Sequence, residues 1–293
     1  MFKPGKNVHV PRYTCPMDSV SSYRASFASL HASGCFVIPN PWDVGSAKYL
    51  RSLGFKALAT TSGGFAFSRG LPDGVNGVGR DEMLAHIAEI VGAAEVPVNA
   101  DFQSGYADAP EDVGENVKRC VETGVSGLSI EDATGKPETP LYELTQAADR
   151  IRAARRALDE TGSGVLLTAR AECYLVGHPN AFQESLRRLT AYAEAGADVL
   201  YAPGVIDPKE IGQIVTAVTP TPVNVLVSSN TGLRVADLAD MGVRRVSVGS
   251  SLARTAWTGF IKAAREIAEQ GTFAGFDGIV PFGELNSLFQ KSF

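Results

Sequence analysis

Gly127-Leu128-Ser129-Ile130-Glu131-Asp132 is the stretch that decides the fold. A glycine turn precedes a short apolar run, and the run delivers two adjacent carboxylates where a buried strand would reach its loop. Val96-Pro97-Val98-Asn99-Ala100-Asp101 also ends in an acid, and Val165-Leu166-Leu167-Thr168-Ala169-Arg170-Ala171-Glu172 ends in an arginine and another acid. A strand buried on both faces needs apolar side chains, and charge is tolerated cheaply only at a solvent-accessible end. Three charged ends on three successive strands therefore predict one shared mouth, with a site in it.

Outward from this stretch the chain alternates. Strands are expected at 35–39, 56–60, 96–100, 127–130, 165–169, 199–201, 223–227 and 245–248. Each is followed by a helical pattern: 44–53, 80–94, 110–123, 144–159, 180–195, 208–218, 233–240 and 252–269. Residues 1–19 are rich in turn formers and are expected to wrap over the body before a first helix at 21–30, capped by Ser21. Residues 61–74 read as a long glycine-rich connection, and the arginines of 144–159 as a solvent face. The tail, 272–293, reads as closing helical turns or a partner-binding segment.

Eight such units predict an α/β fold, a (β/α)8 TIM barrel with a short N-terminal helix and a C-terminal helical extension. One domain spans 1–293, with its core at about 33–270 and the extension at 271–293. The competitor is an open doubly wound sheet, which usually carries a glycine-rich turn after its first strand. Pro39-Asn40-Pro41-Trp42 is not such a turn.

Composition narrows the function. With 293 residues, 44% of them hydrophobic, the chain can bury a large core. A formal charge of −5 supports neither a nucleic-acid surface nor an anionic membrane surface. Cys15, Cys35, Cys120 and Cys173 form no paired motif, so reduced cysteines are expected, with no zinc site. No run reaches membrane-spanning length and the first residues lack a signal-peptide pattern, so a cytoplasmic protein is expected.

The pooled strand ends carry several carboxylates without a lysine cluster to balance them. Such groups repel unless protonated or neutralised by a cation. Oxygen ligands without histidine suit a hard ion, Mg2+ or Mn2+, with Asp101 and Glu131 as ligand candidates. The plainer reading of either acid is a helix cap or an arginine partner, and for Asp132 that reading is preferred. Arg170 has the planar fork that receives a carboxylate or phosphate, or it pairs with Glu172 or Glu131. Ser62-Gly63-Gly64 offers backbone N–H groups as an anion cradle. Asn40, Ser228 and Asn230 are equally readable as loop hydrogen-bonding residues. His9, His31, His86 and His178 form no cluster, and His178 alone falls where it could approach the mouth. No lysine sits at the end of a strand's apolar run, which argues against a Schiff-base aldolase. Lys136 lies in Thr134-Gly135-Lys136-Pro137-Glu138, either a lid or an exposed connection.

These motifs resemble the isocitrate lyase/phosphoenolpyruvate mutase superfamily over roughly residues 22–260. The resemblance runs through Asn40-Pro41-Trp42-Asp43, Thr61-Ser62-Gly63-Gly64, Gly70-Leu71-Pro72-Asp73, Asn99-Ala100-Asp101, Ile130-Glu131-Asp132 and Thr168-Ala169-Arg170-Ala171-Glu172. It implies a barrel that binds Mg2+, and a homotetramer or homodimer that exchanges a C-terminal helix. It places Asp73, Asp101 and Glu131 around the metal, and Trp42, Asp43, Ser62, Gly63, Gly64, Asp101 and Arg170 around substrate. Arg170, Asp73 and Lys136 are the implied catalytic set. Two departures matter. Asn99 stands where the family commonly has an aspartate, and Ala133-Thr134-Gly135-Lys136 replaces the cysteine motif of isocitrate and methylisocitrate lyases. The expected activity is a Mg2+-dependent lyase or decarboxylase acting on a small 2-oxo or 2-hydroxy dicarboxylic acid such as oxaloacetate. The alternatives are phosphoenolpyruvate or phosphonopyruvate mutase or hydrolase chemistry, and a non-catalytic barrel that binds a 2-oxo acid.

Overall fold

The computed structural model describes residues 17–74 and 77–290. Expectations for 1–16, including Cys15 and His9, lie outside the described residues. A first helix, α1 (Met17–Ala32), leads into β1 (Phe36–Ile38), α2 (Val44–Ser52), β2 (Leu58–Ala59), α3 (Ser62–Ser68), α4 (Arg80–Ala94), β3 (Val98–Asp101) and α5 (Pro110–Glu122). Next come β4 (Gly127–Glu131), α6 (Leu144–Thr161), β5 (Leu166–Arg170), α7 (Ala181–Glu194), β6 (Val199–Tyr201) and α8 (Pro208–Val218). The described residues close with β7 (Val223–Leu226), α9 (Val235–Asp240), β8 (Arg245–Ser247), α10 (Ser251–Gln270), a 3-10 turn (Ala274–Phe276) and α11 (Phe282–Gln290).

Local chemistry sets several helix starts. Asp43 caps α2, accepting from the Ser46 N–H at 2.7 Å, while the Ser46 hydroxyl accepts from the Asp43 N–H. Pro110 and Pro208 open α5 and α8, where a missing N–H costs nothing.

All eight strands are parallel, in the order β1-β8-β7-β6-β5-β4-β3-β2. The two ends of this ladder meet. Ala59 N–H donates to the Pro39 carbonyl at 3.0 Å. The Asn40 amide donates to Thr60 O at 2.9 Å, and its oxygen accepts from the N–H groups of Val248 and Gly249 at 3.0 and 2.9 Å. Asn40 thus staples the seam of the barrel.

The apolar interior has two parts. The larger joins the outward faces of the strands, such as Leu128, Leu167 and Leu200, to helix residues including Ile87, Ile151 and Leu189. The smaller contains Phe27, Ile38, Ala57 and Ala59, with Leu30, Phe36 and Leu166 packed on it. Phe27 comes from α1, which Arg24 ties to the turn entering β4 and to the end of α5 by donating to Val125 O at 3.0 Å and Val121 O at 3.2 Å. α1 therefore plugs the N-terminal end of the barrel. Gly127 is glycine because a Cβ there would lie 2.6 Å from the Phe27 ring and 2.7 Å from Asn99 Oδ1.

Above that plug the inward positions turn polar. Asn99, Ser129, Asn224 and Arg245 lie below Asp101, Arg170, Tyr201 and Ser247, and all line one cavity. Barrel interiors are more often filled by branched apolar residues.

Three expectations change in detail. The helix expected at 21–30 begins earlier, at Met17. Strands β3, β4 and β5 run on to include Asp101, Glu131 and Arg170, because these side chains find partners across the ladder. The connection at 61–74 contains α3, because the Thr61 hydroxyl caps it by accepting from Gly64 N–H at 3.2 Å. No helix among the described residues is long and apolar enough to cross a membrane.

Candidate active site at the barrel mouth

Asp101, Glu131 and Arg170 end β3, β4 and β5 and meet. Arg170 Nη1 lies 2.8 Å from Asp101 Oδ1, Nη2 lies 3.1 Å from Glu131 Oε2, and Nε lies 2.8 Å from Glu172 Oε1. The Tyr201 ring stands 5.2 Å from the guanidinium carbon. Asp101 is held from both sides, its second oxygen accepting from the Ser62 N–H at 2.9 Å. Asp73 presses against Gly63, where a Cβ would fall 2.7 Å from its Oδ2. With Ser62, Gly63, Asp73, Asp101 and Arg170 on its wall, the cavity has a volume of about 170 Å3. That is well under the roughly 300–1,000 Å3 of pockets for drug-sized ligands.

Charge is unbalanced here, since one guanidinium faces a surplus of carboxylates. Burial pushes the Glu131 carboxyl up to about 8 despite Arg170, and the charges of Glu172, Asp101 and Asp73 add to the effect. Glu172 is raised by burial against the pull of Arg170, and Asp73 by burial and by Asp101. Burial works against the Arg170 cation, but Glu172, Glu131 and Asp101 outweigh it and hold its pKa well above the ordinary value.

A pH dependence follows. Between the ordinary glutamate pKa and about 8, folded Glu131 keeps a proton that the unfolded chain has released, so rising pH costs stability. His31 and His86, lowered mainly by burial to about 3 and about 4, act oppositely, but only below the unfolded histidine value of about 6.5. Between pH 6.5 and 8 the metal-free protein should lose up to about 1.4 kcal/mol per pH unit from this carboxyl. Denaturant melts of wild type and E131Q across that window check it, because E131Q should flatten the slope.

The remaining candidates divide. Ser62 and Gly63 line the cavity, but the cradle is partly spent: Ser62 N–H serves Asp101 and Gly64 N–H serves Thr61. Gly64 packs beneath instead, where a Cβ would fall 2.6 Å from Thr61 Cγ2 and 2.9 Å from Trp42 Cβ. Trp42 and Asp43 do not line the cavity, and Asp43 is exposed as the α2 cap. Lys136 is also outside it, exposed and 3.4 Å from Asp108. Its loop is closed by a bridge between Ala133 and Leu141 and by Thr134 N–H donating to Pro140 O at 3.0 Å. Asp132 is buried and pairs with Arg188 at 2.9 Å, a structural role. His178 accepts from the Asn180 N–H outside the mouth.

Sequence reasoning missed the buried arginines. Arg150, on the helix face read as solvent-facing, is buried. It donates to Ala107 O at 2.9 Å and Glu131 O at 3.3 Å, bracing the ends of the site strands. Arg245 lies inside the barrel. The available signal was alternation: Asn99/Asp101, Ser129/Glu131, Thr168/Arg170 and Arg245/Ser247 are spaced by two, as one polar strand face requires.

Fold and mouth define a (β/α)8 barrel with an arginine–carboxylate site at the C-terminal strand ends. Residues 27–268 match the family described as phosphoenolpyruvate phosphomutase, and the chain belongs to that family. A solved structure from Burkholderia cenocepacia J2315, a candidate lyase/mutase by its own description, superposes with a TM-score of 0.90. It shares 45% identity, covering 94% of this chain and 99% of that one. An uncharacterized Mycobacterium tuberculosis protein is 34% identical over 77% of this chain and 82% of its own length. The oxaloacetate decarboxylase of Pseudomonas putida (strain GB-1) is 30% identical over 80% of this chain and 81% of its own.

Proposed function

We propose that this protein is a divalent-metal-dependent lyase or decarboxylase acting on a small 2-oxo or 2-hydroxy dicarboxylic acid such as oxaloacetate. The observation that supports this most is the meeting of Asp101, Glu131 and Arg170 beside Asp73 at a cavity of about 170 Å3. The similarity to an oxaloacetate decarboxylase points the same way.

The donor set fits a hard cation. Among the described residues no group of three or more His, Cys, Asp or Glu side chains is arranged as a ready-made metal cage. Mg2+ does not require one, since it usually keeps several waters and takes one or two carboxylates plus substrate oxygens. Asp73 and Asp101 would hold it, with Glu131 as an outer charge, and a positive ion there would offset the repulsion that raises Asp73 and Glu131. When bound, the ion supplies Lewis-acid polarisation of the 2-oxo group and stabilisation of developing negative charge. Of the five N–H donors of Arg170, Nε–H goes to Glu172 and one on Nη1 to Asp101, while Nη2 is ion-paired with Glu131; the N–H groups left over are the means to orient a substrate carboxylate. Ser62 and the Gly63 N–H bound the other side.

A mutase or hydrolase reading that relies on Lys136 is less well supported, because that side chain is exposed and engaged with Asp108. The test is turnover of oxaloacetate, phosphonopyruvate and substituted malates, with Mg2+ and with chelator. Metal-dependent release of pyruvate is expected. Tight binding of 2-oxo acids with no product from any of them would replace the reading with a non-catalytic barrel.

The same reading includes a homodimer or homotetramer joined through the C-terminal helices. Ala253 is the one buried residue of α10, and Trp257, Phe260, Ile261, Phe282 and Leu285 are exposed. Apolar surface of this kind marks an association face. Light scattering at micromolar concentration should give two or four copies, and a monomer would overturn the proposal.

A further inference from the structure

Arg245 is a buried cation without a counter-charge. It starts β8, is 3% exposed, and lines the same cavity as Arg170. Its Nε donates to Asn224 Oδ1 at 2.9 Å, its Nη2 to Thr168 Oγ1 at 3.0 Å, and its Nη1 lies 3.4 Å from His31 Nε2. None of these partners is an anion, and no carboxylate among the described residues forms an ion pair with it.

His31 cannot become that anion. Its Nδ1 lies 2.8 Å from the Phe27 carbonyl oxygen, which only accepts, so Nδ1 carries the proton. Nε2 is then the bare nitrogen that accepts from Arg245. Burial and the Arg245 charge hold the imidazole neutral, its pKa down to about 3. Burial also lowers Arg245, to about 10, which leaves it charged at neutral pH.

Taking a guanidinium out of water costs several kcal/mol unless an opposite charge repays it. Stitching β5, β7 and α1 together would need only a neutral donor at this position. Meanwhile one N–H on Nη1 and one on Nη2 remain without a protein acceptor among the described residues, and guanidinium N–H groups are suited to the oxygens of a planar oxyanion. The cavity is therefore polarised, with surplus carboxylate at its mouth and uncompensated cation at its floor.

We propose that Arg245 forms an anion subsite at the floor of the cavity, where it receives the second carboxylate of a dicarboxylate whose other end lies at the mouth. This deepens the functional reading above, on which it rests for the orientation of the ligand, and makes Arg245 the residue that selects dianions over monoanions. Asn224 and Thr168 hold the fork in position, and His31 accepts from it without neutralising it.

The test is binding rather than turnover, so it stands apart from the identity of the reaction. Titration calorimetry of the full chain with Mg2+ compares malonate and succinate with acetate and propionate, using oxalate as a probe of the mouth alone. Wild type should prefer the longer dianions over the monoanions by tenfold or more. R245M should bring that ratio close to one while oxalate still binds. An unchanged ratio in folded R245M, or no preference in wild type, overturns the subsite. Loss of oxalate binding in wild type would count instead against the mouth site. Should R245M fail to fold, side-chain 15N–H resonances of wild-type arginine, with Arg245 assigned by R245K, give the answer. Succinate should shift the Arg245 signals and propionate should not; equal response to both overturns the proposal.

Discussion

Replacing Arg170 with alanine should destabilise the protein by about 3–5 kcal/mol and abolish most turnover. Among the described residues the guanidinium is the one cation paired with the carboxylates of Asp101, Glu131 and Glu172, whose side chains are 17%, 14% and 5% exposed. Removing one partner of a buried pair leaves the other charge uncompensated, which is where a cost of about 3–5 kcal/mol arises. Acid should relieve part of the loss, because Glu131 and Glu172 already hold their protons more tightly than ordinary carboxylates. The variant should therefore be nearer to wild type in stability at pH 5 than at pH 8. On activity, losing a preorganised charge at a reacting centre costs about 10²–10³ in kcat. Urea unfolding at the two pH values and oxaloacetate turnover with Mg2+ are the measurements. A variant with wild-type stability and turnover would mean that this cluster is neither the keystone of the mouth nor its chemistry.

Phe27→Ala should cost about 3–5 kcal/mol, the usual loss for a buried aromatic truncated to alanine. Phe27 is fully buried, and its ring meets His31 edge-on at 4.7 Å and Phe36 at 6.4 Å. It closes the barrel from below, so its loss leaves a void rather than a surface dent. Gly127 gives a second handle on the same contact. Gly127→Ala forces a methyl to within 2.6 Å of the ring and should cost about 1–3 kcal/mol by overpacking. In the double variant the new methyl enters the void left by the ring, so the combined loss should be smaller than the sum. Additive losses would show that α1 does not seat in the barrel as described.

Much of the site was legible before folding was considered. Asp101, Glu131 and Arg170 each follow a short apolar run, and the runs recur at the spacing of strand–helix units, so a common mouth followed from local pattern. The inner floor was not legible in the same way. Arg244 and Arg245 stand side by side where the strand expected at 245–248 begins, and nothing local says which arginine turns inward. Arg244 donates to Gly34 O at 3.1 Å and stays exposed at that bond, whereas Arg245 enters the barrel. A shift of one residue in register would exchange them. Arg150 and Arg188 have the same history, being helix arginines whose burial depends on which loop or helix lies opposite.

By itself the sequence determined the number of units, their order and the charged residues that follow the apolar runs of β3, β4 and β5. Apolar periodicity, glycine stops and helix caps act over a few residues and need no partner. Only the tertiary structure decided that α1 becomes a plug, that Ser62-Gly63-Gly64 begins a helix, and that Lys136 stays outside the cavity. It also decided that Arg245 is left facing the interior without a counter-charge. Each of these depends on ring closure, which sets what lies opposite a side chain, and burial and pairing energies belong to that opposition rather than to the residue alone.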